Sequence, residues 1–182
     1  RYHKVTGVQT CALPILNIKK VRVDKEGAGM GWGAVYAQYL ESMDQIGEQG
    51  NGLSVSRQLY KGDEALNESV PLKVGDKITV RLTVKADRDM DFVQIKDDRA
   101  ACMEPLQAVS GFRWGNGLGY YQATKDASTQ FFIDQMRKGT YVIEYQVYVN
   151  RTGEYQAGIA TVQSAYAPEF GGHTGGYRVM VE

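Results

Sequence analysis

The sequence predicts an all-β fold, an antiparallel β-sandwich, on three observations. From Leu53 onward apolar and polar residues alternate with a period of two, the pattern of a strand with one buried and one wet face. The strand-like runs recur at short spacing between turn signals, as in sandwiches. No long helical pattern interrupts the series. The 21 Gly and 12 Tyr against only four Pro suit a turn-rich globular β-protein better than a disordered chain.

The first residues stand apart. Residues 5–15 read Val-Thr-Gly-Val-Gln-Thr-Cys-Ala-Leu-Pro-Ile, the reading-frame translation of a common short-read sequencing adapter. Residues 1–15 are therefore read as an adapter-derived artefact and set aside, as processing scars are. The remaining 167 residues hold one cysteine, Cys102, and one histidine, His173. Without Arg1 and Lys4, the 21 basic residues become 19 against 21 acidic ones, a net charge of −2 instead of 0. That balance argues against a nucleic-acid partner, which selects for basic excess. No apolar run approaches the length that spans a bilayer as a helix. A lone cysteine forms no intrachain disulfide and does not identify the redox compartment.

Residues 16–23 are strand-like, with β-branched residues mixed with charge. A glycine-rich entry at 27–33 leads into 32–40, read as a strand, with a short helix over 34–43 left open because periodicity does not separate the two. Residues 47–52, Gly-Glu-Gln-Gly-Asn-Gly, have linker composition. Residues 16–47 are thus expected to be the truncated end of a preceding domain, and 48–182 the sandwich. Within it, Leu53, Val55, Arg57 and Leu59 alternate with Ser54, Ser56 and Gln58. Ile78, Val80, Leu82 and Val84 alternate with Thr79, Arg81, Thr83 and Lys85. Further strands are expected at 92–96, 129–136, 141–150, 155–166 and 177–181.

Four stretches could carry chemistry. Gly29-x-Gly31-x-x-Ala34 superficially fits a dinucleotide fingerprint, but Asp44 and Glu48 fall too early to hold a ribose and no second βαβ unit follows. Asp87-Arg88-Asp89-Met90-Asp91 opens like a calcium loop, but the sixth and twelfth positions are Phe92 and Asp98 where an EF-hand needs Gly and Glu; a charged turn is the simpler reading. Cys102 and His173 are the one nucleophile–imidazole pair available. His173 sits in a glycine-rich loop that would preorganise a base poorly, and a free cysteine is most often a buried hydrophobe. In the segment from Phe112 to Tyr121, Asn116-Gly117 fits a tight type I′ hairpin turn. Phe112, Trp114, Tyr120 and Tyr121 either offer a carbohydrate platform or, more simply, pack into the core or an interface. Only one of the adjacent Tyr120 and Tyr121 can point inward. No catalytic, cofactor or metal site is assigned from these patterns.

Several strings, in order and spacing, resemble the C-terminal end of bacterial alpha-2-macroglobulin-like proteins of the Bacteroides type. They are Gly31-Trp32-Gly33-Ala34-Val35-Tyr36-Ala37-Gln38-Tyr39, Leu72-Lys73-Val74-Gly75-Asp76 and Arg99-Ala100-Ala101-Cys102-Met103-Glu104-Pro105. Further along come Gly117-Leu118-Gly119-Tyr120-Tyr121-Gln122-Ala123-Thr124-Lys125-Asp126, Gly139-Thr140-Tyr141-Val142-Ile143-Glu144-Tyr145 and Tyr166-Ala167-Pro168-Glu169-Phe170. The resemblance implies an immunoglobulin-like, macroglobulin-type sandwich from a large envelope protein that traps proteases. It implies a non-enzymatic, cofactor-free fragment of an endopeptidase inhibitor, whose partners are the parent's other domains and, through the parent, a target protease. Neither nucleic acid binding nor direct membrane insertion is expected. The family's thioester arises from Cys-x-x-Gln. Here Pro105 stands where the Gln would be, so Cys102 forms no such bond, and the reactive domain is expected upstream. The reading from a different class is a cell-surface module that binds glycans or peptides.

Overall fold

The computed structural model describes residues 24, 26–32, 40, 42–67 and 71–182. The expectations for 16–23 and 33–39, including Tyr36 and Tyr39, lie outside the described residues. The chain divides into two compact units between Glu41 and Ser42. In the first, Met30, Trp32 and Leu40 are exposed. All that follows concerns the second.

Among its described residues, the second unit has one 3₁₀ turn (Met43–Gln45), and all its other regular elements are β-strands. Its strands are β1 (Gln49–Asn51), β2 (Leu53–Lys61), β3 (Glu64–Ala65), β4 (Lys77–Ala86), β5 (Met90–Asp98), β6 (Met103–Pro105) and β7 (Gly111–Gly115). They continue with β8 (Leu118–Thr124), β9 (Ser128–Met136), β10 (Gly139–Val149), β11 (Gly153–Ala157), β12 (Ala160–Ser164), β13 (Gly171–His173) and β14 (Tyr177–Val181). Among the described residues the named strands pair antiparallel throughout, and Leu72 adds one isolated parallel bridge to Val181 of β14. The hydrogen-bonded path runs β6-β10-β4-β2-β1-β13-β12-β5-β9-β8-β7, with β3 on β2, while β11 and β14 pair separately.

The short strands β1 and β13 join two halves that close face to face. Side chains of one half reach the other: Arg57 on β2 bonds Asp97 on β5, Tyr145 on β10 bonds Asp97, and the rings of Phe131 on β9 and Tyr145 lie 5.8 Å apart. The expected sandwich is therefore present. Its core alternates as the sequence does. On β4, Ile78, Val80, Leu82, Val84 and Ala86 are buried, and in register beside them lie Leu53, Val55 and Leu59 of β2 and Ile143, Tyr145 and Val147 of β10. Val93 and Ile95 of β5, Phe131 and Ile133 of β9, and Val162 of β12 form the facing layer. Burying such side chains contributes about 1.5–3 kcal/mol each relative to leaving them exposed.

Three local expectations need correction. Residues 155–166 form two strands in different sheets, β11 and β12. The break falls at Gly158, where a Cβ would sit 2.4 Å from the Cβ of Asp98. This close approach lets Gly158 turn its carbonyl toward Arg57. The loop around His173 contains a strand, β13, held between β1 and β12. Residues 49–51, inside the linker-like stretch, form β1.

Candidate interaction surface

Asn116 and Gly117 take φ values of 51° and 75°, both in the left-handed region that a type I′ turn requires. This fixes the β7–β8 register: Phe112 opposite Tyr121, Arg113 opposite Tyr120, Gly111 opposite Gln122. Tyr121 in turn pairs with Phe132 of β9. Residues directly opposite share a face, so Phe112, Trp114, Tyr121 and Phe132 form one aromatic strip. It points away from the core. Phe112 is 78% exposed and Trp114 79%, while Tyr121 and Phe132 are partly covered, at 36% and 39%. The simpler expectation that these aromatics fill the sandwich is wrong for Phe112 and Trp114. Tyr120 is the inward member of its pair, its ring edge-on to Phe131 at 5.6 Å. The strip is ordered within itself: Phe112 stacks edge-on to Tyr121 at 5.1 Å, and a Cβ at Gly119 would lie 2.8 Å from the Trp114 ring. Asn116 donates its side-chain amide to the Val142 carbonyl of β10 at 2.9 Å, tying the hairpin tip to the other half.

Beneath the hairpin lies a polar network that the sequence analysis did not assign. Arg57, among the apolar residues of β2, binds Asp97 Oδ1 through Nη1 and the Gly158 carbonyl through Nη2 at 2.6 Å. The Tyr145 hydroxyl donates to Asp97 Oδ2 at 2.7 Å, and the Tyr177 ring covers the guanidinium at 4.4 Å. The side chains of Arg57 and Asp97 are 4% and 2% exposed. Burial pushes the Asp97 carboxyl up, against the opposing pull of Arg57 and Tyr145. Burial acts most strongly on Arg57, to lower its value, but the Asp97 charge and hydrogen bond together with Tyr177 and Tyr145 outweigh it and keep the guanidinium protonated. A carboxylate with a donor on each oxygen is the ionised form. One signal was readable: Arg57 falls on the apolar phase of its strand. Its partner lies 40 residues away in sequence, beyond any local pattern.

The remaining candidates are dispersed. Cys102 has 0% exposure, and burial pushes its thiol up, away from the reactive thiolate. His173 Nδ1 lies 3.1 Å from the neighbouring Thr174 carbonyl oxygen. Among the described residues no hydrogen bond joins this ring to Cys102. Asp87 faces Arg88 at 2.8 Å, and Asp89 caps the Lys138 amide at 2.7 Å, so internal donors occupy these two carboxylates of the calcium-like turn. Gly29 takes φ 100° in a bend; Ala34 lies outside the described residues. Replacing Cys102 with alanine is expected to cost about 1–2 kcal/mol through lost packing, measured by urea denaturation, with the native thiol inert to iodoacetamide. Rapid alkylation of the folded protein would show an activated thiol instead.

Comparison with known proteins agrees with this architecture. The family model for the bacterial alpha-2-macroglobulin MG10 domain matches residues 52–169, well over half of the chain. A Salmonella alpha-2-macroglobulin mutant, Y1175G, superposes with a TM-score of 0.64 at 19% identity, covering 75% of this chain and 10% of that one. Escherichia coli alpha-2-macroglobulin, spanning domain MG7 to the C-terminus, gives 0.62 at 17% identity, covering 74% and 24%. At these identities the likeness concerns the fold. A curated relative, circularly permutated Ras protein 2 of Dictyostelium discoideum, is 26% identical over 176 residues, 92% of this chain but 4% of that protein. The chain thus spans a small part of each of these relatives.

Proposed function

We propose that this chain, which belongs to the bacterial alpha-2-macroglobulin MG10 domain family, is the non-catalytic C-terminal domain of an endopeptidase inhibitor and packs against that parent's thioester domain. The observation carrying this reading is the outward strip of Phe112, Trp114, Tyr121 and Phe132. Contiguous exposed aromatics mark interaction sites, and Trp and Tyr are favoured at interface centres. The printed descriptions of solved relatives supply the rest. The Salmonella protein has been reacted with methylamine, as an internal electrophile would be. The Escherichia coli protein has been activated by trypsin and by porcine elastase. This domain lacks the Cys-x-x-Gln needed for such an electrophile, so its role is to hold the domain that carries it. The parent would reside in the cell envelope and meet its target protease there. Residues 16–47 would be the end of the preceding domain, and residues 1–15 foreign sequence.

Trp114→Ala tests the reading. In the intact parent it is expected to accelerate methylamine incorporation and protease-triggered rearrangement. The folding stability of the chain itself should change by less than about 1 kcal/mol, as for an exposed position. An unchanged methylamine rate in a folded parent would overturn the assignment of this strip to the thioester domain.

A further inference from the structure

Strand β7 ends the hydrogen-bonded path, so one of its edges has no neighbouring strand among the described residues. The hairpin turn fixes which backbone groups that edge presents. A two-residue type I′ turn is closed by a hydrogen-bonded pair, here Gly115 and Leu118. Bonded and non-bonded pairs alternate along an antiparallel ladder, so Arg113 and Gly111 also bond to β8. Phe112 and Trp114 aim their N–H and C=O groups the other way. The far edge of β8 agrees. Lys125 donates its amide to the Ser128 carbonyl at 2.9 Å, which assigns the odd-numbered residues of β8 to β9 and the even-numbered ones to β7.

Three other edges of the domain are blunted in the ways that usually keep strands from recruiting partners. β6 stops at Pro105, β3 has two residues, and Leu72 bonds along β14 through the Met180 carbonyl and the Glu182 amide. β7 reads Gly-Phe-Arg-Trp-Gly, with neither Pro nor Lys. Its two outward-bonding residues are also the two most exposed members of the aromatic strip. On the opposite face Arg113 lines a cleft of about 340 Å³ beside β10, together with Tyr120 and Gln122. Glu144 in that cleft is already paired with Arg81. The Arg113 guanidinium donates to the Val109 carbonyl at 3.3 Å, and among the described residues no carboxylate pairs with it.

We propose that β7 is a docking edge for an extended segment of another polypeptide, which adds as a further antiparallel strand and carries an acidic residue between two apolar ones. The unpaired backbone groups of Phe112 and Trp114 select an extended chain, as in strand addition generally. The two incoming residues bonded to them place their side chains on the outer face beside the rings. The residue between those two lies directly opposite Arg113, where an acidic side chain supplies the carboxylate that the guanidinium lacks. A second copy of this chain fits poorly. β7 paired with itself through Phe112 and Trp114 sets one Arg113 directly against the other, and like charges so placed repel. The inference goes beyond the interdomain reading, which concerns the faces of the rings; strand addition concerns the backbone edge and the inward Arg113.

The test is an amide NMR titration of the whole chain with the acetylated, amidated peptide Ser-Thr-Ile-Glu-Ile-Thr-Ser, taken to about 5 mM to cover dissociation constants near 1 mM and below. Saturable shifts are expected at the amides of Phe112, Arg113 and Trp114. N-methylating both Ile residues removes the donors that face β7 and should weaken binding about tenfold, the loss of two hydrogen bonds. N-methylating the Glu, whose amide points away, should change it little. Replacing the Glu with Lys should weaken binding about two- to fivefold, and Arg113→Glu should reverse that preference. The proposal is overturned if no saturable shifts appear, if they bypass Phe112 and Trp114, if Ile N-methylation leaves the affinity unchanged, or if a folded Arg113→Glu still prefers the Glu peptide. A concentration-dependent dimer that bars the peptide from β7 would overturn it as well, since the edge would then belong to a second copy.

Discussion

Replacing Asp97 with alanine is expected to destabilise the domain by about 3–5 kcal/mol, the cost of removing one partner from a buried ion pair. The Arg57 guanidinium would keep the Gly158 carbonyl and the Tyr177 ring but lose its counter-charge. The Tyr145 hydroxyl would lose its acceptor. No water replaces them freely, since both side chains of the pair are under 5% exposed. For a domain of this size the loss corresponds to a melting temperature lower by about 10–20 °C, read by calorimetry or circular dichroism. The double replacement Arg57→Met, Asp97→Leu separates pairing from polarity. Removing both charges in favour of apolar groups is often neutral or stabilising, so the double variant should regain most of the stability lost by Asp97→Ala. A double variant no more stable than Asp97→Ala would mean that the pair specifies how the two halves meet, beyond satisfying its own charges.

Phe131→Ala is expected to have a comparable effect, about 3–5 kcal/mol, the sum of lost transfer free energy and a cavity. Phe131 has 0% exposure and sits between Tyr120 on one side and Tyr145 on the other. In register it lies beside Ile95 of β5 and Gln122 of β8. Losing its ring removes the support that fixes Tyr120 and undercuts the Asp97–Tyr145 contact, so part of the cost should not add to that of Asp97→Ala. Denaturant titration of the two single variants and the double measures this: a shortfall from additivity of about 0.5–3 kcal/mol is the signature of a shared network. Full additivity would show that the ring and the ion pair act independently.

The hairpin shows where sequence reasoning ran out. Asn116-Gly117 named the turn type, and strand parity required Tyr120 and Tyr121 to part. Which of the two goes inward depends on the pairing of β8 with β9, and that pairing places Gln122 beside Phe131 and Tyr121 beside Phe132. The same parity carries Phe112 and Trp114 outward. Their size and apolar character had argued for the core, because burial is the usual fate of such side chains in a domain considered alone. In the same way Arg57 could be placed on the apolar phase of β2, a position that signals a buried partner, without the partner being identifiable. Asp97 lies one residue beyond the strand expected at 92–96, and in β5 (Met90–Asp98) it faces the core.

The sequence by itself determined the class of the fold, the positions of most of the long strands, the tight turn between β7 and β8, and the incapacity of Cys102 to form a thioester with a residue three places on. Each of these follows from interactions within a few residues: the two-residue repeat of side chains along a strand, the backbone conformations that Asn and Gly tolerate, and the presence or absence of a carboxamide. Only the tertiary structure decided that residues 155–166 serve two sheets, that Arg57 meets Asp97, that the aromatic strip faces outward, and that Gln122 lines a cleft between the hairpin and β10. These depend on which strands become neighbours and how two twisted layers close on one another. A one-residue change of register would exchange the two faces of a strand, so they are settled by the packing of the whole domain and not by any segment of it.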